Sequence, residues 1–98
     1  MEKASKSFRF KVGNRYCDYH DHSNRNDTER ESFSFKGFDV EIIKETGNYR
    51  VNGYYGSGAG EWSFPKSEQK KFRQMIKLLY NVDWTDVLNL KAEQERNL

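Results

Sequence analysis

The chain holds one cysteine, one proline and two histidines in 98 residues. A lone cysteine cannot close an internal disulfide, which fits a reducing compartment. No apolar run approaches the ~20 residues a membrane helix needs, and none has the form of a signal peptide. The expectation is a cytoplasmic protein with no membrane partner. Apolar content is also low, at 35% of residues with a mean hydropathy of −1.08. Neither sign of charge dominates. Seventeen basic and fifteen acidic residues leave +2, which fits neither an acidic nucleic-acid mimic nor a strongly basic DNA binder.

Aromatic residues make up the deficit. Seven Phe, six Tyr and two Trp give 15% of the chain, and each buries a large area, so a core is attainable with few aliphatics. That content also argues against disorder. The length suits one domain, residues 1–98.

The hydrophobic pattern has period two in its first two thirds. Phe8, Phe10 and Val12 alternate with Arg9 and Lys11, Gly13-Asn14 reads as a turn, and Arg15 to Tyr19 returns as a hairpin arm. Asp21 to Arg30 has no aliphatic or aromatic residue and reads as a loop. Ser32 to Phe35 alternates, Gly37 interrupts, and Phe38 to Ile43 continues. After the turn residues Thr46-Gly47-Asn48 come Tyr49 to Tyr55, a glycine-rich loop and a short strand, Glu61 to Phe64. Pro65 stops the sheet. From Ser67 to Asn81 the period becomes helical, with Phe72, Met75, Ile76 and Leu79 on one face and Ser67 as N-cap. A weaker helix is expected from Thr85 to about Arg96, capped by Thr85 or Asp83, with Val87 and Leu88 inward and Trp84 in the core. The predicted fold is α+β: an antiparallel sheet of about five strands, followed by one or two C-terminal helices packed on one face.

Cys17, His20 and His22 place the only cysteine and both histidines within six residues. Thiolate, imidazole and carboxylate are the ligands of zinc, usually four at a time. The expected metal set is Cys17, His20, His22 and Asp18, with Asp21, Asp27 or Glu29 as other candidates for the fourth place. Such a structural zinc would staple a small polar domain. On a regular strand, however, Asp18, His20 and His22 share one face and Cys17 points to the other. Cys17 joins the histidines only if the chain turns or bulges near Tyr19. The alternative is a buried free cysteine beside two solvated histidines.

Two surfaces are candidates for partner binding. Tyr54 and Tyr55 are consecutive on a strand, so one of them is expected to face water as a contact anchor, unless they form a cross-strand aromatic pair. Lys66, Lys70, Arg73 and Lys77 form a basic stripe spaced 4, 3, 4, a docking line for phosphates or an acidic partner, or the wet side of an amphipathic helix. The stretch Gly53 to Gly60 lacks the Gly-Lys-Ser/Thr ending of a phosphate loop, and a strand rather than a helix follows. No nucleophile, acid and base can be assembled, so a non-enzymatic protein is expected.

Three resemblances bear on function. Asp21-His22-Ser23-Asn24 resembles part of a ββα-metal nuclease motif, without that family's helical metal ligand. Gly60-Glu61-Trp62-Ser63-Phe64-Pro65, leading into Ser67-Glu68-Gln69 and Phe72, resembles the strand-to-helix joint of the single-stranded-DNA-binding transcription coactivators. That likeness implies a small single-stranded nucleic-acid-binding regulator. The whole chain, a compact domain rich in Asn, Lys, Tyr and Glu, resembles small phage anti-CRISPR inhibitors of type II effector nucleases. That resemblance implies a zinc-stabilised binding protein whose partner is a larger protein, most specifically a type II CRISPR effector nuclease, blocked at DNA loading or a conformational step. Strong nucleic-acid binding is not expected at +2.

Overall fold

The computed structural model describes residues 6–22, 30–55 and 58–97. Six strands lie side by side in chain order: β1 (Lys6–Val12), β2 (Arg15–His22), β3 (Arg30–Phe35), β4 (Phe38–Ile43), β5 (Tyr49–Tyr55) and β6 (Gly58–Phe64). Every neighbouring pair is antiparallel. A 3-10 turn, Lys66–Glu68, leads into α1 (Gln69–Tyr80), and α2 (Trp84–Arg96) follows. The α+β class and the order of strands before helices are as the periodicity predicts. The sheet has six strands rather than about five. Gly37, at φ +97°, lets Lys36-Gly37 close a tight turn, so the two runs on either side of it pair with each other.

Period two decides which side chains meet the helices. Phe10 faces Cys17 across β1 and β2, Phe33 faces Val40 across β3 and β4, and Val40 faces Val51 across β4 and β5. All five are buried. α2 packs over β1, and α1 packs over β5 and β6. Trp84, at the start of α2, fills the space between helices and sheet, its ring edge-on to both Phe33 and Phe72 at 5.0 Å. Phe35, Phe38 and Tyr80 form a second stack, with centroid spacings of 4.5 and 3.9 Å. Burying each such ring stabilises the fold by roughly 1.5–3 kcal/mol, and well-arranged ring pairs add about 0.5–1.5 kcal/mol.

The helix entries differ in detail from expectation. Ser67 lies in the 3-10 turn, and Glu68 precedes α1 without a capping hydrogen bond from its side chain. Asp83 caps α2, its carboxylate accepting from the Thr85 N–H at 2.9 Å. Asn81, in the left-handed region at φ 56°, ends α1. No described helix is long and apolar enough to cross a membrane.

Candidate functional site

The helices cover one face of the sheet, and among the described residues nothing packs on the other. The residues alternating with the core come out on that open face in cross-strand rows. One row runs Arg9, Asp18, Ser34, Asp39, Asn52, Glu61, and the next runs Ser7, His20, Ser32, Glu41, Arg50, Ser63. It is a polar, mixed-charge surface built by parity alone.

Most of its charges are paired across strands. Arg9 Nε donates to Asp18 Oδ1 at 2.7 Å, and Nη2 to Oδ2 at 3.3 Å. This contact holds the Asp18 carboxyl below its usual range and raises the Arg9 guanidinium. Glu41 lies 3.8 Å from both Arg30 and Arg50, and Glu61 lies 3.4 Å from Arg50. Pairs this exposed contribute little stability, but they fix where charge sits. Asp39, the second residue of β4, has no ion-pair partner among the described residues, and its Oδ1 is buried with no hydrogen bond there.

Two tyrosines rise from this face. Tyr54 is 68% exposed and Tyr16 56% exposed. The Tyr16 ring lies beneath two cations, Arg9 at 5.5 Å and Lys11 at 5.6 Å. Beside Tyr54 runs an open groove of about 540 Å³, lined by Ser34, Asp39, Asn52, Ala59 and the glycines of the adjoining strands and turn. Ser34 also borders the hollows around Arg9, Asp18 and His20, so the depressions adjoin one another across the sheet.

Cys17 lies on the opposite face of β2 from Asp18 and His20. β2 continues as a strand through His22, with Tyr19 paired to both Phe8 and Phe33, so no turn brings Cys17 round to the histidines. Cys17 is fully buried on the core face, and burial pushes its thiol up to about 12. Asp18 and exposed His20 are on the open side, with Asp18 engaged by Arg9. His22 ends the strand opposite Arg30. Asp21 takes an ion pair from Lys44 at 2.7 Å. Among the described residues no three His, Cys, Asp or Glu side chains group to hold a metal ion. Asp27 and Glu29 lie outside the described residues, as do Ser23 and Asn24 of the nuclease-like stretch and Gly56-Ser57 of the glycine loop.

The two expected contact surfaces are also apart. Tyr54 belongs to the open face, where it sits opposite Ala59. Tyr55 ends β5 opposite Gly58. Lys66, Lys70, Arg73 and Lys77 are all exposed on the helical side of the sheet. Sequence reasoning overlooked Tyr16 and Asp39. Parity could have found Tyr16, since its neighbour Cys17 and Tyr19 point inward. Nothing local marks Asp39, whose distinction is the lack of a cation across the strands.

No protein-family model matches the chain, and no curated protein or solved structure matches it.

Proposed function

We propose that this chain is a small binding protein that acts by occluding a larger protein, with the open face of the sheet as its main contact surface. The observation that carries the reading is a sheet face uncovered among the described residues, with exposed Tyr54 beside a groove. Tyrosines of this kind supply large contact area at low entropic cost, and they are enriched at binding hot spots. The basic stripe on α1 is a second, peripheral surface that speeds encounter with acidic partners.

The first target class to test is a type II CRISPR effector nuclease, on the strength of the whole-chain resemblance. A net charge of +2 is unsuited to imitating DNA in a groove that reads it, so inhibition would come from blocking DNA loading or a domain movement. In a pull-down panel of type II effectors the protein forms a stable complex with one member and stops cleavage stoichiometrically. Tyr54→Ala weakens that complex about tenfold or more, a loss of about 1.4 kcal/mol. Lys70→Glu with Arg73→Glu chiefly slows association and flattens its salt dependence. Absence of any complex at micromolar concentration removes the CRISPR target, and full affinity after Tyr54→Ala removes the open face.

A structural zinc on this face would draw on His20, His22 and Asp18, at the cost of the Arg9–Asp18 pair. One zinc per chain after dialysis, lost on His20→Ala and retained on Cys17→Ser, is the result that supports it.

One observation favours a second reading. Tyr16 and Tyr54 stand on the open face with Arg9, Lys11 and Arg50, the mixture of rings and cations that binds single strands. The carboxylates Asp18, Asp39, Glu41 and Glu61 on the same face oppose a polyanion. Submicromolar binding of single-stranded DNA that survives physiological salt would select this reading instead.

A further inference from the structure

Asp39 is the odd carboxylate of the open face. Asp18, Glu41 and Glu61 each have an arginine partner within 4 Å, whereas Asp39 has none among the described residues. Its Oδ1 is buried without a hydrogen-bond donor among the described residues, an arrangement that costs stability. Its cross-strand neighbours are Ser34 and Asn52, which bring a hydroxyl and an amide to the same groove. Tyr54 adds an exposed ring at the side.

We propose that this groove is a receptor for an arginine side chain presented by the partner protein. The proposal rests on the binding reading above and names the chemistry that its central contact recognises. The charge complementarity is specific: an uncompensated carboxylate, flanked by hydrogen-bond acceptors and an aromatic face. A guanidinium is planar, carries five N–H donors, sheds water more readily than an ammonium and stacks on aromatic rings. Seated between Asp39 and Tyr54, it supplies the missing countercharge and donates to Ser34 Oγ and the Asn52 amide oxygen. A lysine ammonium brings charge, but neither the flat stacking surface nor the forked donors.

The test needs no knowledge of the partner. A blocked Gly-Arg-Gly tripeptide is titrated into the isotope-labelled protein and followed through its amide resonances, beside the Gly-Lys-Gly and Gly-citrulline-Gly counterparts. Citrulline keeps the shape of arginine and removes its charge. The arginine peptide shifts Ser34, Asp39, Asn52 and Tyr54 and saturates in the millimolar range. The lysine peptide binds more weakly, and the citrulline peptide at least about tenfold more weakly, as loss of a charge-assisted pair implies. Asp39→Asn reduces arginine binding by a similar factor, and Tyr54→Ala, a change at an exposed side chain, reduces it severalfold. Equal binding of arginine and citrulline, shifts confined to other faces, or unchanged affinity in both variants would overturn the proposal. Such a failure beside an intact, Tyr54-dependent effector complex leaves the binding-protein reading standing. A positive titration with no effector complex removes the CRISPR target and keeps the receptor.

Discussion

The phenol of Tyr80, at the end of α1, donates to the backbone carbonyl of Tyr54 on β5 at 3.0 Å. Its ring lies on Phe38, with centroids 3.9 Å apart, and passes over Gly53. The end of α1 thus props the strand that carries the exposed tyrosine, linking core packing to the candidate contact face. A Cβ at Gly53 would lie 2.5 Å from the Tyr80 hydroxyl and 2.6 Å from Phe38 Cβ. Gly53→Ala therefore lowers stability by about 2 kcal/mol through overpacking, measured by urea denaturation. Tyr80→Phe costs about 1 kcal/mol, the loss of one hydrogen bond. Because both act at one contact, the double variant is less destabilised than the sum of the two.

Cys17 behaves as a core residue. Native protein shows negligible reaction with a thiol reagent such as DTNB at pH 8, and full reaction after denaturation, because the side chain is buried and its thiol is held protonated. Cys17→Ser lowers stability by about 1–3 kcal/mol by burying a hydroxyl, and a chelator leaves that difference unchanged. Rapid labelling of the native protein would contradict the packing.

Stability falls at alkaline pH. Burial raises the Cys17 thiol to about 12 from 9.0, and raises the Tyr19, Tyr49 and Tyr80 phenols above their ordinary 10.0. For Tyr19 the hydrogen bond to Glu31 adds to the effect. Each group binds its proton more tightly in the folded state, so the unfolded chain gains by deprotonating first. The contribution is fully present below the unfolded values. It declines from about pH 9, by up to about 1.4 kcal/mol per pH unit for each group whose unfolded form is ionised while the folded form is not. Denaturant midpoints measured from pH 7 to 11 should be level at first and then fall with increasing steepness.

Glu31 clamps α2 to the sheet. Its Oε2 accepts from Tyr19 Oη at 2.5 Å and from Lys91 Nζ at 3.0 Å, and Lys91 lies 4.9 Å from the Tyr19 ring centre. Glu31→Ala removes the acceptor from both donors and lowers stability by about 1–2 kcal/mol, since the site is partly screened from water. Lys91→Met leaves Tyr19 Oη its partner and costs less. Equal losses in the two variants would show that the phenol contact is not the stronger link.

Much of the architecture is legible along the chain. The alternation of Phe8, Phe10 and Val12 with Arg9 and Lys11 appears directly as core and open faces, and of the expected helix face Phe72 and Ile76 are buried and Met75 and Leu79 partly buried, with Tyr80 added by the structure. The count of strands was less legible, because Gly37 reads equally as a flaw in one strand and as a turn between two. For the proposed metal site, the alternation that separates Cys17 from Asp18 and His20 is visible in the sequence. The absence of a turn at Tyr19 is not, since it follows from Tyr19 being paired on one side with Phe8 and on the other with Phe33.

What the sequence by itself determined is parity: which residues share a face, and where helix replaces strand. Those depend on periods of two and 3.6 residues and on neighbours close in the chain. Only the tertiary structure decided which face the helices cover, that Tyr54 and the basic stripe lie on opposite sides, and which open-face carboxylate lacks a cation among the described residues. Asp18 and Asp39 are the same residue type in the same cross-strand row, yet one meets Arg9 across a hairpin and the other sits between Ser34 and Asn52. Register brings together groups far apart in the chain, so the electrostatics of each carboxylate is a property of the assembled sheet.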